Sequence, residues 1–209
     1  SDVCSSDLFE KGQKEVLREN WGRWPECQSL LDRSHRRSIV TYLADKVNAG
    51  RDPDFRGAFG RLNADLRGLY LSAWQSALWN RVVSGCIASC LPESRRLEIC
   101  LQSGPAVFPV DFVAAEMQPL DICLPLPSAR ISRPDGVPGA VLDQVLVEEQ
   151  VTLQQIRVSW PRDRFFSRSQ RPLLVRPEQL RAAVERDQLY PKRHLLRLEF
   201  ELPRGSYAS

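Results

Sequence analysis

Catalysis needs nucleophiles, bases or metal ligands at workable spacing, and this chain offers few of them. Two histidines, His35 and His194, stand in 209 residues. His35 is flanked by arginines in DRSHRRS, a surface context, and His194 opens a strand-like run where packing is the simpler role. Six cysteines, at positions 4, 27, 86, 90, 100 and 123, follow no framework spacing. Cys86 and Cys90 lie one helical turn apart without a histidine nearby, which points to reduced, buried thiols in a cytosolic protein and not to a metal site. There is no phosphate-binding glycine loop, no Gly-x-Ser-x-Gly elbow and no HExxH pair. Charge is more informative. From Glu98 to Ser159 there are eight acidic and three basic residues, whereas Trp160 to Arg197 holds ten basic and four acidic. A further basic cluster gathers Arg33, His35, Arg36 and Arg37. Net charge is only +3, so the switch of sign describes a basic face beside an acidic one, either a binding surface or a solvated arginine-rich one.

LRGLYLSAWQSALWNRVV, residues 66–83, carries a second pattern. Leu71, Trp74, Leu78 and Val82 recur at spacings of three and four, an apolar helical stripe. Ser72, Ser76 and Asn80 recur every four residues and stack neutral polar groups on another line. Such groups suit hydrogen bonding to a neighbouring segment, or contact with a polar ligand, without the desolvation cost of charges.

The elements that must position these residues fall into two textures. Hydrophobic residues make up 43% of the chain and charged residues 26%, enough for one large domain or two small ones. No apolar run approaches the about 20 residues of a membrane-spanning helix. Residues 9–92 read as helical: a helix ending near Glu19, a turn at WGRWPE, one or two helices over Cys27–Asn48, a loop-like stretch over Asp45–Gly60, then the long helix to about Ser84. From Ser94 prolines thicken, and AVFPVDFVA and DICLPLP read as short strands. Val141–Glu149 and Glu178–Gln188 read as helices, and Arg171–Val175 as a strand. In HLLRLEFELP, Leu196, Leu198, Phe200 and Leu202 alternate with Arg197, Glu199 and Glu201, the clearest period of two in the chain. The opening SDVCSSDL has neither a signal peptide's pattern nor a helix start and matches a translated sequencing-library adapter, so residues 1–8 are expected to be foreign and unpacked.

Four segments, in order, resemble the TruD family of tRNA pseudouridine synthases. LRGLYLSAWQSALWNRVV resembles a helix with the pattern SA-x-QS-x-L-F/W-N, and DICLPLPSAR the LPLPG segment, with Ser128 where glycine is usual. RPLLVRPEQL resembles R-x-L-x-V-x-P, and LEFELPRGSYAS the closing F-x-LP-x-GS-F/Y-A-T, with Ser209 in place of threonine. The resemblance implies an α+β fold: a TruD-type insertion domain over 9–190, with a helical N-terminal part (9–92) and a mixed α/β part (93–190), then a returning strand of the catalytic sheet (191–209). It also implies isomerisation of uridine to pseudouridine in tRNA, at position 13, with no cofactor and no metal, by a monomeric cytoplasmic protein. The family's catalytic Asp, in a Lys-Asp-Lys motif, and its Asn-x-Phe and FG-x-QRFG motifs have no counterpart here. Neither Asp32 nor Asp45 stands in such a context. No catalytic residue is therefore assigned, the Asp being expected upstream of Phe9, and the chain reads as an inactive fragment.

By the same resemblance Tyr207 is a wall of the uridine pocket, Gly205 lets backbone approach, and Ser206 offers a hydroxyl or amide to the uracil edge. Arg33, Arg36, Arg37, Arg164 and Arg168 become candidates for phosphate contacts, while Arg171 is a candidate for a fold contact. Two other classes stay open at this level: a non-catalytic RNA-binding module, and a helical protein-interaction domain.

Overall fold

The computed structural model describes residues 2–101, 104–110, 118–158 and 166–203, and only the backbone of residues 2–10. It is α+β, with helices first and short antiparallel strands after them. Contacts divide it into two compact units, one built on residues 1–73 and the other on residues 74–157 and 166–203.

The first unit holds α1 (Asp2–Glu19), α2 (Trp24–Leu30), α3 (His35–Asn48), α4 (Phe55–Gly60) and the start of α5 (Ala64–Cys90). Local chemistry sets the boundaries. Gly22, at φ +89°, takes the left-handed turn after α1, and Pro25 sits in the first turn of α2, where its missing N–H costs nothing. The Ser34 hydroxyl accepts from the Arg37 N–H at 3.2 Å and caps α3. Asp54 does the same for α4 through the Gly57 N–H at 2.8 Å. These caps explain why Asp45–Gly60 is less of a loop than its Gly and Pro content suggests: α3 continues to Asn48, and α4 begins at Phe55. Trp24, Cys27, Leu31, Val40, Leu43, Ala44 and Ala58 form the buried core of this unit. The backbone is helical from Asp2, where no helix start was expected.

In the second unit α5 is the spine, and α6 (Gly136–Glu148) packs beside it. A Cβ on Gly85 would lie 2.4 Å from a Val141 methyl, so the glycine permits this close approach. Leu78, Val82, Cys86 and Ile87 of α5 join Leu142, Val145 and Leu146 of α6 in one core with Leu120, Leu124, Leu126, Ile156 and Leu173. Among the described residues, three antiparallel two-stranded sheets accompany these helices. They pair β1 (Arg96–Leu101) with β2 (Gly104–Pro109), β3 (Cys123–Pro125) with β4 (Gln170–Pro172), and β5 (Glu178–Arg186) with β6 (His194–Glu201).

The β5 strand corrects the expected helix over Glu178–Gln188. EQLRAAVERDQ is rich in helix formers, but propensity is a weak prior, and the same residues also alternate as Leu180, Ala182, Val184. Pairing with β6 decides in favour of the strand: Ala182 faces Leu198, Val184 faces Leu196, and Arg181 faces Glu199. A bulge between Glu178 and Arg181, with Gln179 at φ +52°, sets the register. The hairpin is amphipathic. Ala182, Val184, Leu196 and Leu198 share one face, and the other carries the Arg197–Glu185 ion pair at 3.5 Å. Every residue of both strands is exposed, so the strand with the clearest sequence signature is the least buried.

Candidate functional site

Helix α5 supplies a polar seam within the second unit. Gln75 is 2% exposed, although it lies in a helix that is otherwise apolar on that side. Its amide donates to the Pro127 carbonyl at 2.9 Å and to the Ser167 carbonyl at 2.8 Å, and its Oε1 accepts from the Ser167 N–H at 3.2 Å. One turn on, the Trp79 indole N–H donates to the Leu124 carbonyl at 3.3 Å. Arg171 donates to the Ser76 hydroxyl at 3.3 Å, and its guanidinium lies 5.9 Å from the Trp79 ring. Three segments far apart in sequence, those around residues 75–79, 124–128 and 167–171, are thus stitched together by side chains reaching backbone carbonyls.

The neutral line on α5 divides by role. Ser76 is half-buried and engaged, whereas Ser72 and Asn80 are exposed. Ser84 continues the line and accepts from the Val107 N–H at 3.1 Å, holding β2 against the helix. The buried partner of backbone groups is Gln75, which the spacing of Ser72, Ser76 and Asn80 did not single out. Its signal in the sequence was an amide sitting inside the Trp74–Leu78 stripe. Ser128, in the LPLPS segment, is 3% exposed with its hydroxyl unpaired.

Tyr207, Ser206, Gly205 and Arg164 lie outside the described residues. Arg33 is exposed just ahead of α3, while Arg36 and Arg37 are half-buried in its first turn. Arg168 is exposed on the stretch leading into β4. Arg33, Arg36 and Arg37 belong to the first unit and Arg168 to the second. Arg171 is tied into the fold, as its motif position suggested. His194 is exposed on β6 opposite Arg186, not packed as expected. Asp32 is exposed and accepts from the Gln13 amide at 3.2 Å.

Among the described residues, no three His, Cys, Asp or Glu side chains converge to hold a metal ion. Cys27, Cys86, Cys90, Cys100 and Cys123 are free thiols, the first two buried and the others exposed. Burial, aided by Cys90, pushes the Cys86 thiol up to about 11, which leaves it protonated and unreactive near neutrality. In the first unit the Tyr42 hydroxyl and the Gly57 N–H hold the Asp54 carboxyl below its ordinary value, and the phenol of Tyr42 is raised by the same contact. This is a structural pair, with Tyr42 donating at 2.6 Å.

A family model described as tRNA pseudouridine synthase D (TruD) matches residues 4–209. The chain belongs to the TruD family. Relatives agree: tRNA pseudouridine synthase D of Geobacter metallireducens is 34% identical over 223 residues, covering 100% of this chain and 52% of that protein. A probable tRNA pseudouridine synthase D of Methanopyrus kandleri is 30% identical over 92% of this chain and 42% of its own length. The crystal structure of a TruD protein from Methanosarcina mazei superposes with a TM-score of 0.61 at 23% identity, covering 95% of this chain and 48% of that one. This likeness bears on the fold alone. The TruD-type chain therefore spans about half the length of the relatives it matches. The seam at Gln75, Trp79 and Arg171 joins the helix motif, the LPLPS segment and the RPLLV segment that carry the family resemblance.

Proposed function

We propose that this chain is the insertion-type part, residues 9–190, and the returning strand, residues 191–209, of an enzyme that isomerises uridine to pseudouridine in tRNA, at position 13. In that reaction the bond from ribose to N1 of uracil breaks, the base turns, and ribose is rejoined at C5. The net change is an isomerisation, so no redox cofactor is consumed. The catalytic Asp belongs to the part of the enzyme upstream of Phe9. The observation that carries this reading is the β5–β6 hairpin. An isolated two-stranded hairpin is marginal in water, and this one exposes Leu196 at 59%, Leu198 at 50% and Val184 at 68%. Such a face fits two strands of a larger sheet whose remaining layers come from elsewhere in the enzyme.

In the complete enzyme Tyr207 stacks on the target base, Gly205 lets the chain approach it, and Ser206 bonds the uracil edge. Arg33, Arg36, Arg37, Arg164 and Arg168 hold phosphates, a role that positions RNA without reading its sequence. The enzyme acts as a monomer in the cytoplasm, where tRNA is modified. Among the described residues no helix is long and apolar enough to cross a membrane.

Two measurements on residues 1–209 test the reading. The chain forms no pseudouridine in unmodified tRNA, and it binds that tRNA with an affinity that falls steeply as salt rises. Robust conversion by this chain alone, or failure to bind tRNA at low salt, overturns the reading. The second outcome favours the helical interaction module.

A further inference from the structure

The first unit contains an aromatic groove that the proposed reaction does not use. It encloses about 530 Å³, within the range of small-ligand sites. Trp24 forms its buried base, and the rings of Trp21 and Phe55 each stand at 74° to it, with centroids 5.0 and 5.9 Å away. Tyr70 lines it from the start of α5. Trp21 is 68% exposed, and Phe55 and Tyr70 are 52% exposed. Three large rings stand open in one concave groove, and aromatic walls with a charged group among them are the usual make-up of a binding site. Charge decides what binds. Among the described residues the lining includes Arg36 and no carboxylate, and Arg33, His35 and Arg37 cluster at the same end of α3.

Rigid aromatic faces beside a cationic rim suit a flat ring attached to a phosphate. We propose that this groove binds an unstacked nucleobase of the RNA, with the arginines of α3 facing its phosphates. The proposal rests on the reading of the chain as RNA-binding. The groove is a non-catalytic subsite that captures a base other than the one isomerised. Its apolar walls accept any base, since every base offers a π-face.

The test uses residues 1–209 and three probes: a single-stranded oligouridylate of about eight nucleotides, an abasic oligonucleotide of the same length, and unmodified tRNA. Binding is read by quenching of tryptophan fluorescence and by anisotropy. Trp21→Ala is expected to weaken oligouridylate binding about tenfold, the value of one lost stack. Trp21→Phe should restore most of it, and the abasic strand should bind wild type no better than it binds Trp21→Ala. Circular dichroism and thermal melts of both variants confirm that the helical unit is intact. Equal binding of oligouridylate by wild type and Trp21→Ala overturns the proposal, as does equal binding of the abasic and uridylate strands by wild type. A Trp21→Ala change that alters self-association but not RNA binding also overturns it, in favour of a second copy as occupant. If tRNA binds and oligouridylate does not, the groove falls and the RNA-binding reading stands. If neither binds, that reading fails with it.

Discussion

Replacing Gln75 by methionine keeps side-chain volume and helix propensity but removes all three hydrogen bonds of the seam. The magnitude follows from what is stranded. The Pro127 carbonyl is in a buried contact, so leaving it unpaired costs about 1–3 kcal/mol. The Ser167 groups are partly exposed and recover some hydration, so together they lose about 1 kcal/mol. The gain from a more apolar side chain offsets a part of this, leaving a net destabilisation of about 1–3 kcal/mol. Gln75→Glu is worse near neutrality. Its carboxylate would face two carbonyls in a buried site, so its folded pKa is raised above the ordinary value of about 4.3. A raised acid pKa means full relative stability below the unfolded value, lost as pH climbs through the folded one. The glutamate variant should therefore weaken from about pH 4 upward. Urea unfolding followed by tryptophan fluorescence, with hydrogen exchange across residues 122–128 and 167–173, localises the loss. Ser72→Ala on the exposed side of the same helix is the control, expected within about 0.5 kcal/mol of wild type. A Gln75→Met protein within that same margin would refute the claim that the seam fastens these segments.

Ser128→Ala removes a buried, unpaired hydroxyl and should leave stability unchanged or raise it by up to about 1 kcal/mol, read as a shift in urea midpoint. Gly85→Ala should lower the melting temperature by driving its methyl into Val141, with a partial rescue by Val141→Ala. The lowered pKa of Asp54 contributes stability that is present above the ordinary aspartate value and lost as pH falls through the folded one. Acid unfolding of the helical unit should therefore become less pH-dependent in Asp54→Asn. Leu198→Asp lies on the exposed hairpin and should barely change the melting of residues 1–209, yet should abolish activity once the rest of the enzyme is present.

How much was legible varied with how local each signal was. The helix α5 and the strand β6 were readable because their periodicities, 3.6 and 2, run unbroken over many residues. The caps at Ser34 and Asp54 are equally local, and they trimmed the loop expected over Asp45–Gly60. β5 was not legible, because its residues satisfy both periods and only pairing with β6, eight or more residues further on, selects the strand. Gln75 was hidden for a related reason: its partners lie 52 and 92 residues away in sequence. Its neighbours Ser72, Ser76 and Asn80 made a more regular pattern, but two of the three face solvent. Arg171, by contrast, was readable from its motif position. The motif around Tyr207 carried the assignment of the base pocket through its resemblance to the family's closing segment.

The proposal to be tested is that this chain supplies part of a tRNA pseudouridine synthase whose catalytic Asp comes from another part of the enzyme. The most direct measurement joins residues 9–209 to the N-terminal half of the Geobacter metallireducens relative, which is 34% identical over the shared region. Conversion of uridine in unmodified tRNA is then read by pseudouridine-specific chemical mapping. The account predicts pseudouridine at one tRNA site with the chimera, none with either half alone, and reduced conversion when Tyr207→Ala is introduced. A soluble, folded chimera that binds tRNA but forms no pseudouridine would contradict it.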